Sequence, residues 1–250
     1  RMTTADESLA NAFSGAKIIT GFNANNDMGD DLAPVKAPVT IQGIQNPFAY
    51  VPYFRFAVRA LPLIEAASFG SGALNLPADR DGVVRSVPLV LNVGGKIYPS
   101  LDAEIMRVLG NERLRIYGAE SSVPLLDPTP RIASVGAGPL TAMTRRDGAL
   151  VMYFTRDAGH RQIAASSLLG SALLDLKNTV VIVGPPGERL RTPAGLRSVA
   201  DVQAEALENI FTGTALNQSA GFLPQLVFLA VAGAALIFLV LRSGAFWAGA

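Results

Sequence analysis

The strongest constraint on this chain lies near its C-terminal end. Residues 226–241 read LVFLAVAGAALIFLVL, sixteen positions without a polar side chain. Extended back to Phe222, the segment has 20 residues, interrupted only by Pro224 and Gln225. About 20 apolar residues, at about 1.5 Å rise each, match the hydrocarbon thickness of a bilayer. A transmembrane helix is therefore expected over 222–241. The competing reading is a buried core helix, but no apolar stretch of similar length follows to cover it. After Arg242, Ser243 and Gly244 the chain turns apolar again at Ala245, Phe246 and Trp247. Residues 245–250 are thus expected to begin a second transmembrane helix. With position 1 an arginine rather than a methionine, a segment cut from a longer protein is expected. Arg242 after the span places residues 1–220 outside the cytoplasm, with the span in the inner (cytoplasmic) membrane.

Composition narrows the reading of the remainder. The chain has 250 residues, net charge +1 and a mean hydropathy of +0.33. Residues 221–250 hold a single charge, Arg242, so residues 1–220 hold 40 charges and none net. That balance provides no drive toward nucleic acid, which needs clustered Lys and Arg. The absence of cysteine excludes disulfides, thiolate zinc sites and cysteine nucleophiles, and a single histidine excludes His-rich metal sites.

Within 1–220, helical and strand patterns alternate. Thr4-x-x-Glu7 has the spacing of a capping box before a helix over 7–13, with Gly15 behind it. Lys17–Phe22 (KIITGF) reads as a strand, and residues 23–47, rich in Asn, Asp, Pro and Gly, as an irregular excursion. Residues 62–68 predict a helix with Pro62 in its first turn. Residues 83–93 predict an eleven-residue strand, turned back at Gly94-Gly95. A helix over 100–109 stops at Gly110, and residues 114–117 suggest a strand. In the second half, Arg146-Asp147-Gly148 has hairpin-turn chemistry before a strand over 150–154. Residues 166–174 read as helix. Residues 179–184 (TVVIVG) read as a strand buried on both faces. Residues 199–211 predict a helix ending at Gly213, with Val199, Val202, Ala206 and Ile210 on one face. The alternation predicts an α/β fold, a mixed sheet with flanking helices, followed by the C-terminal membrane helices.

These landmarks together resemble the CHASE2 domain, over essentially all of residues 1–220. The resemblance begins at Asp6-Glu7-Ser8-Leu9-Ala10 and is most specific in DRDGVVRSVPL, residues 79–89. It continues through Tyr98-Pro99-Ser100-Leu101, RRDGALVMYF and TVVIVG. Thr192-Pro193 and VADVQAEALENIFTG complete the order. Gln203 stands where members often carry histidine, and no Asp precedes Thr192-Pro193. The resemblance implies an extracytoplasmic sensory input domain of a membrane-bound bacterial receptor. The effector it implies is a cytoplasmic class III adenylate or guanylate cyclase, with histidine kinases and Ser/Thr kinases as the other usual ones. The partners it implies are the lipid bilayer, an extracytoplasmic stimulus of unknown kind and a second copy in a receptor homodimer. From another class, the chain could be a membrane-anchored hydrolase or envelope-binding protein, which a pocket of converging catalytic groups would favour.

Few residues invite chemistry. An EF-hand reading of Asp79-Arg80-Asp81-Gly82 fails, because Pro77 and Pro88 occupy the first and twelfth positions of such a loop. The same residues make a tight turn in which Gly82 supplies positive φ. Arg85 shares a strand face with Val83, Val87, Leu89, Leu91 and Val93, and an arginine there needs a partner. That partner is either a structural carboxylate such as Asp81 or an anionic ligand; Arg85 and Asp81 are the candidate ligand-binding pair. Gly184-Pro185-Pro186-Gly187 lacks the Lys of a phosphate loop and reads as a rigid turn. His160 has no Ser/Asp arrangement around it, and Glu205 with Glu208 reads as a solvated face. No catalytic residue, metal site or cofactor is assigned.

Overall fold

In the computed structural model, residues 4–29, 36, 38–119, 131–156, 162–168, 176–185, 187, 189–216 and 223–243 are described. The chain divides into two compact units, Arg1–Leu216 and Asn217–Ala250. His160, most of the expected helix over 166–174, Pro186, Phe222 and the expected second span over 245–250 lie outside the described residues.

In the first unit, α1 (Thr4–Phe13) leads into β1 (Ile19–Asn25). Thr4 lies inside the helix, where its carbonyl accepts from Ser8 Oγ, rather than capping it. The excursion that follows holds the short strand β2 (Thr40–Gln42). Then come β3 (Tyr53–Phe54), β4 (Phe56–Val58), α2 (Pro62–Ala67) and β5 (Gly70–Ala73). The expected long strand is split into β6 (Ser86–Pro88) and β7 (Val90–Val93). Its halves serve different sheets: β6 pairs with a later strand, while β7 pairs with β3 and with β8 (Lys96–Pro99). Gly94 and Gly95, at φ 58° and 82°, make the β7–β8 turn that side chains with a Cβ resist.

Ser100 caps α3 (Leu101–Gly110) by accepting from the Ala103 N–H. The helix continues through Gly110 and ends at Asn111, which takes the left-handed conformation. Next come β9 (Arg115–Ala119), β10 (Arg131–Ala137), β11 (Leu140–Met143) and β12 (Ala149–Val151). After α4 (Ala165–Leu168), the hairpin β13 (Arg189–Thr192) and β14 (Gly195–Ser198) runs into α5 (Val199–Thr212).

The architecture is mixed α/β, built from several small sheets instead of one mixed sheet. Strand orders are β4-β1-β5, β11-β10-β9-β2, β3-β7-β8, β12-β6 and β13-β14 among the described residues. Pairing is parallel for β1/β5, β2/β9 and β3/β7 and antiparallel elsewhere. The largest core cluster joins Leu89, Met106, Ile116, Ile132, Leu150, Val202 and Ala206, so α3 and α5 share one interior with β9, β10 and β12. Each large side chain so buried contributes about 1.5–3 kcal/mol relative to exposure.

Residues 179–184 correct the sequence expectation most sharply. They belong to no strand, and Val183 is 90% exposed. Only Ile182 packs inward, against the cluster of Leu101, Ile105 and Leu207.

The second unit contains α6 (Leu223–Ser243), 21 residues with Arg242 in its last turn. Its side chains at 226–240 are exposed and apolar, with Phe228 at 75%, and Arg242 is exposed as well. Among the described residues no helix is long and apolar enough to cross a membrane.

Candidate functional site

The Arg85 turn is built as its composition suggests. The Asp79 N–H donates to the Val83 carbonyl at 2.9 Å, and Gly82, at φ 76°, closes the loop by donating to the Asp79 carbonyl. Arg85 then reaches back over the loop. Its Nη1 donates to Asp79 Oδ2 and Asp81 Oδ1, both at 2.9 Å, and its Nη2 to Asp81 Oδ2 at 2.7 Å. Those bonds to Arg85 pull the Asp81 carboxyl down to about 2. The guanidinium is correspondingly harder to deprotonate, chiefly through its bond to Asp81. The structure thus brings the two predicted residues together and adds Asp79. It corrects the strand-face assignment: Arg85 points outward with 44% of its side chain exposed, while Val84 and Ser86 are buried. Strand pairing begins only at Ser86, so the alternation counted from Val83 starts before the strand does.

A second charged group lies inside. Arg59 pairs with Glu65 at 2.9 Å, and Arg107 grips Glu104 through two bonds of 2.8 Å. Both carboxylates are buried. Lys36 Nζ donates to the carbonyls of Glu65 and Ser68 and, at 3.0 Å, to Ser68 Oγ. Burial lowers the Lys36 pKa, against the pull of Glu65 and Glu104. The Arg107–Glu104 pair lies within α3, the Arg59–Glu65 pair joins the segment after β4 to α2, and neither has an evident catalytic geometry.

The third assembly is α5 itself. Ser198 and Asp201 form a reciprocal capping box, and Gly213, at φ 67°, ends the helix. Burial extends well beyond the apolar stripe read from sequence: Val202, Ala206 and Ile210 are buried, but so are Gln203, Glu205, Leu207 and Asn209. Each of these polar residues grips a neighbour. Asn209 Oδ1 accepts from the Tyr153 N–H at 2.7 Å, and its Nδ2 donates to the Tyr153 carbonyl at 2.9 Å. Glu205 Oε1 accepts from the Thr155 N–H and hydroxyl, both at 2.8 Å. Its place in the core corrects the solvated-face reading of Glu205 and Glu208. The Gln203 amide meets the Asp102 carboxyl of α3, 2.5 Å from Oδ2 and 3.1 Å from Oδ1. Beside α5 runs an apolar groove of about 630 Å³, lined by Leu109, Thr179, Val180, Ile182, Leu207 and Phe211 among others. Among the described residues no cluster of His, Asp or Glu could hold a metal.

The profile of one protein family, the CHASE2 domain, matches residues 1–245. The chain belongs to the CHASE2 family. CHASE2 domains are extracytoplasmic sensory domains of signalling receptors, and this chain is accordingly a sensory segment. No curated protein and no solved structure matches it. Within this CHASE2 domain the sequence pointed to Arg85 and Asp81, noted Gln203 and Glu205 without giving them a role, and did not single out Asp102, Asn209 or Lys36. For α5 the sequence shows the apolar stripe but carries no local signal that Gln203, Glu205 and Asn209 are buried beside it. Asp102 reads from sequence as an ordinary first-turn acid, and nothing local shows that it faces another helix.

Proposed function

We propose that this CHASE2 domain is the extracytoplasmic input of a membrane-bound receptor and acts on its effector through α5. The single observation that carries this reading is the anchorage of α5. One helix is tied to α3 by Gln203, to the segment after β12 by Glu205 and Asn209, and to the core by Val202, Ala206 and Ile210. The chain then passes from Gly213 to α6 within about ten residues. A rearrangement of the sensory body therefore reaches α5 directly, and a stimulus biases it by binding one arrangement better than another. In this reading α6 anchors the domain as part of a longer apolar segment, since no helix among the described residues is by itself long and apolar enough to cross a membrane. Its exposed apolar side chains support that role. The effector is a class III adenylate or guanylate cyclase, the one the family resemblance implies most often. Arg85 serves as a turn clamp, because an anionic ligand would have to displace two carboxylates from it.

The test is insertion of four glycines after Gly213 in the intact receptor, with cyclic nucleotide production and phosphotransfer both assayed. A flexible linker transmits neither rotation nor piston motion. The inserted receptor is expected to stay folded and to lose its response to the condition that drives the intact receptor. An unchanged response overturns transmission through α5, and a response seen only as phosphotransfer replaces the cyclase with a kinase.

A further inference from the structure

We propose that residues 179–184 form the edge of a two-fold dimer, in which the segment pairs antiparallel with its copy in a second chain. The segment reads TVVIVG, β-branched at five of six positions, with no charge and no proline. Side chains of this kind favour an extended chain. Asn178, left-handed at φ 58°, closes a turn before it, and residues 179–185 are neither helix nor turn. From 180 to 184 no backbone N–H or carbonyl is hydrogen-bonded among the described residues. An apolar segment with open N–H and C=O groups is a template for another strand.

The side chains point to what that strand belongs to. Ile182 packs inward against Leu101, Ile105 and Leu207, while Val181 and Val183 on either side of it are 53% and 90% exposed. The groove beside the segment adds Val180, Leu109 and Phe211, each about half exposed. These five side chains leave on the order of 500 Å² of apolar surface in water, against an apolar share of about 450 Å² in a standard interface of about 800 Å² per partner. The single charged side chain among the described groove residues is Glu208, so the patch offers little to a strongly charged partner. A second copy fits, because it brings the same apolar patch and the same open edge. A two-fold axis sets two identical edges together as an antiparallel pair, and each edge then occupies the other, so the contact closes at two chains. Phe211 brings the last turn of α5 into that contact. The pairing does not rest on transmission through α5, and its test reads contact between copies, not receptor output.

The chain has no cysteine, so a single Cys can be placed at each of positions 179 to 184 in turn, in the full chain in detergent. Under mild oxidation, disulfide-linked dimers are expected to peak sharply at one position or two adjacent ones, those nearest the two-fold axis. One residue further out, the two copies are shifted by about 7 Å along the strands, which carries their Cα atoms beyond disulfide reach. Val183→Asp changes an exposed side chain, so its circular dichroism should match the parent. It places like charges in the pair and should weaken dimerisation about tenfold or more in analytical ultracentrifugation. Linking that is absent or equal at all six positions overturns the pairing, even where a dimer persists, because that dimer is then held elsewhere. Dimerisation unchanged in V183D, or a parent chain that stays monomeric as its concentration is raised, overturns it as well.

Discussion

Arg85 gives three hydrogen bonds to two carboxylates while nearly half of its side chain faces water. Exposed pairs of this sort are screened by salt and hold little stability. Arg85→Ala should therefore leave the thermal midpoint at neutral pH close to unchanged. What it should move is Asp81. The Asp81 carboxyl is lowered in the folded state, from 3.8 to about 2. Its contribution is thus complete above pH 3.8 and disappears as pH falls through about 2. In R85A its NMR titration midpoint should return toward the ordinary value, and an unmoved midpoint would show that the pair does not hold it. Asn209 is the opposite case. It satisfies both backbone groups of Tyr153 from inside the core, so Asn209→Ala should cost about 1–3 kcal/mol in denaturant unfolding, where a surface change costs a few tenths. A loss that small would mean that water replaces both bonds. The sequence shows the chemistry of both residues, but only packing tells which one is dry.

At the scale of elements, close approach decides more than propensity. The strand β5 is Gly-Ser-Gly-Ala, a weak strand former, and it lies against the start of α3. A Cβ on Gly72 would stand 2.6 Å from Leu101 Cα and 2.7 Å from the Ser100 carbonyl oxygen. Both obstacles are backbone and cannot rotate away. Gly72→Ala should therefore cost about 1–3 kcal/mol by overpacking, measured by chemical denaturation. A neutral result would show that α3 can draw back from β5. Residues 179–184 teach the converse. Their apolar run has the pattern of a buried strand, yet no described neighbour forms a ladder with it, and Val183 stands almost fully in solvent. Periodicity reports which residues favour an extended chain; it does not report whether a partner strand lies beside them. The helices were more legible because their bonds are local. Ser100 before α3, Pro62 at the start of α2, and Ser198 and Gly213 around α5 mark ends visible in the sequence.

For the whole molecule, the reading of an extracytoplasmic body followed by a membrane helix makes a topological prediction. A reporter fused after Gly213 that works only outside the cytoplasm should be active, and one that works only inside should be silent. The reverse pattern removes both the localisation and the proposed membrane segment around α6. The sequence by itself determined the mixed α/β class, the family, the positions of α2, α3 and α5, and the apolar character of α6. Each rests on local hydrogen bonds, caps or hydrophobic runs, whose energetics depend on neighbours along the chain. Tertiary structure alone decided that one expected sheet is several, that residues 179–184 lie outside all of them, that Arg85 faces water, and that Asp102 meets Gln203. These outcomes depend on residues far apart in sequence: Asp102 and Gln203 are 101 positions apart. Whether a polar group is wet or dry is set by which distant surface covers it, and no local pattern carries that information.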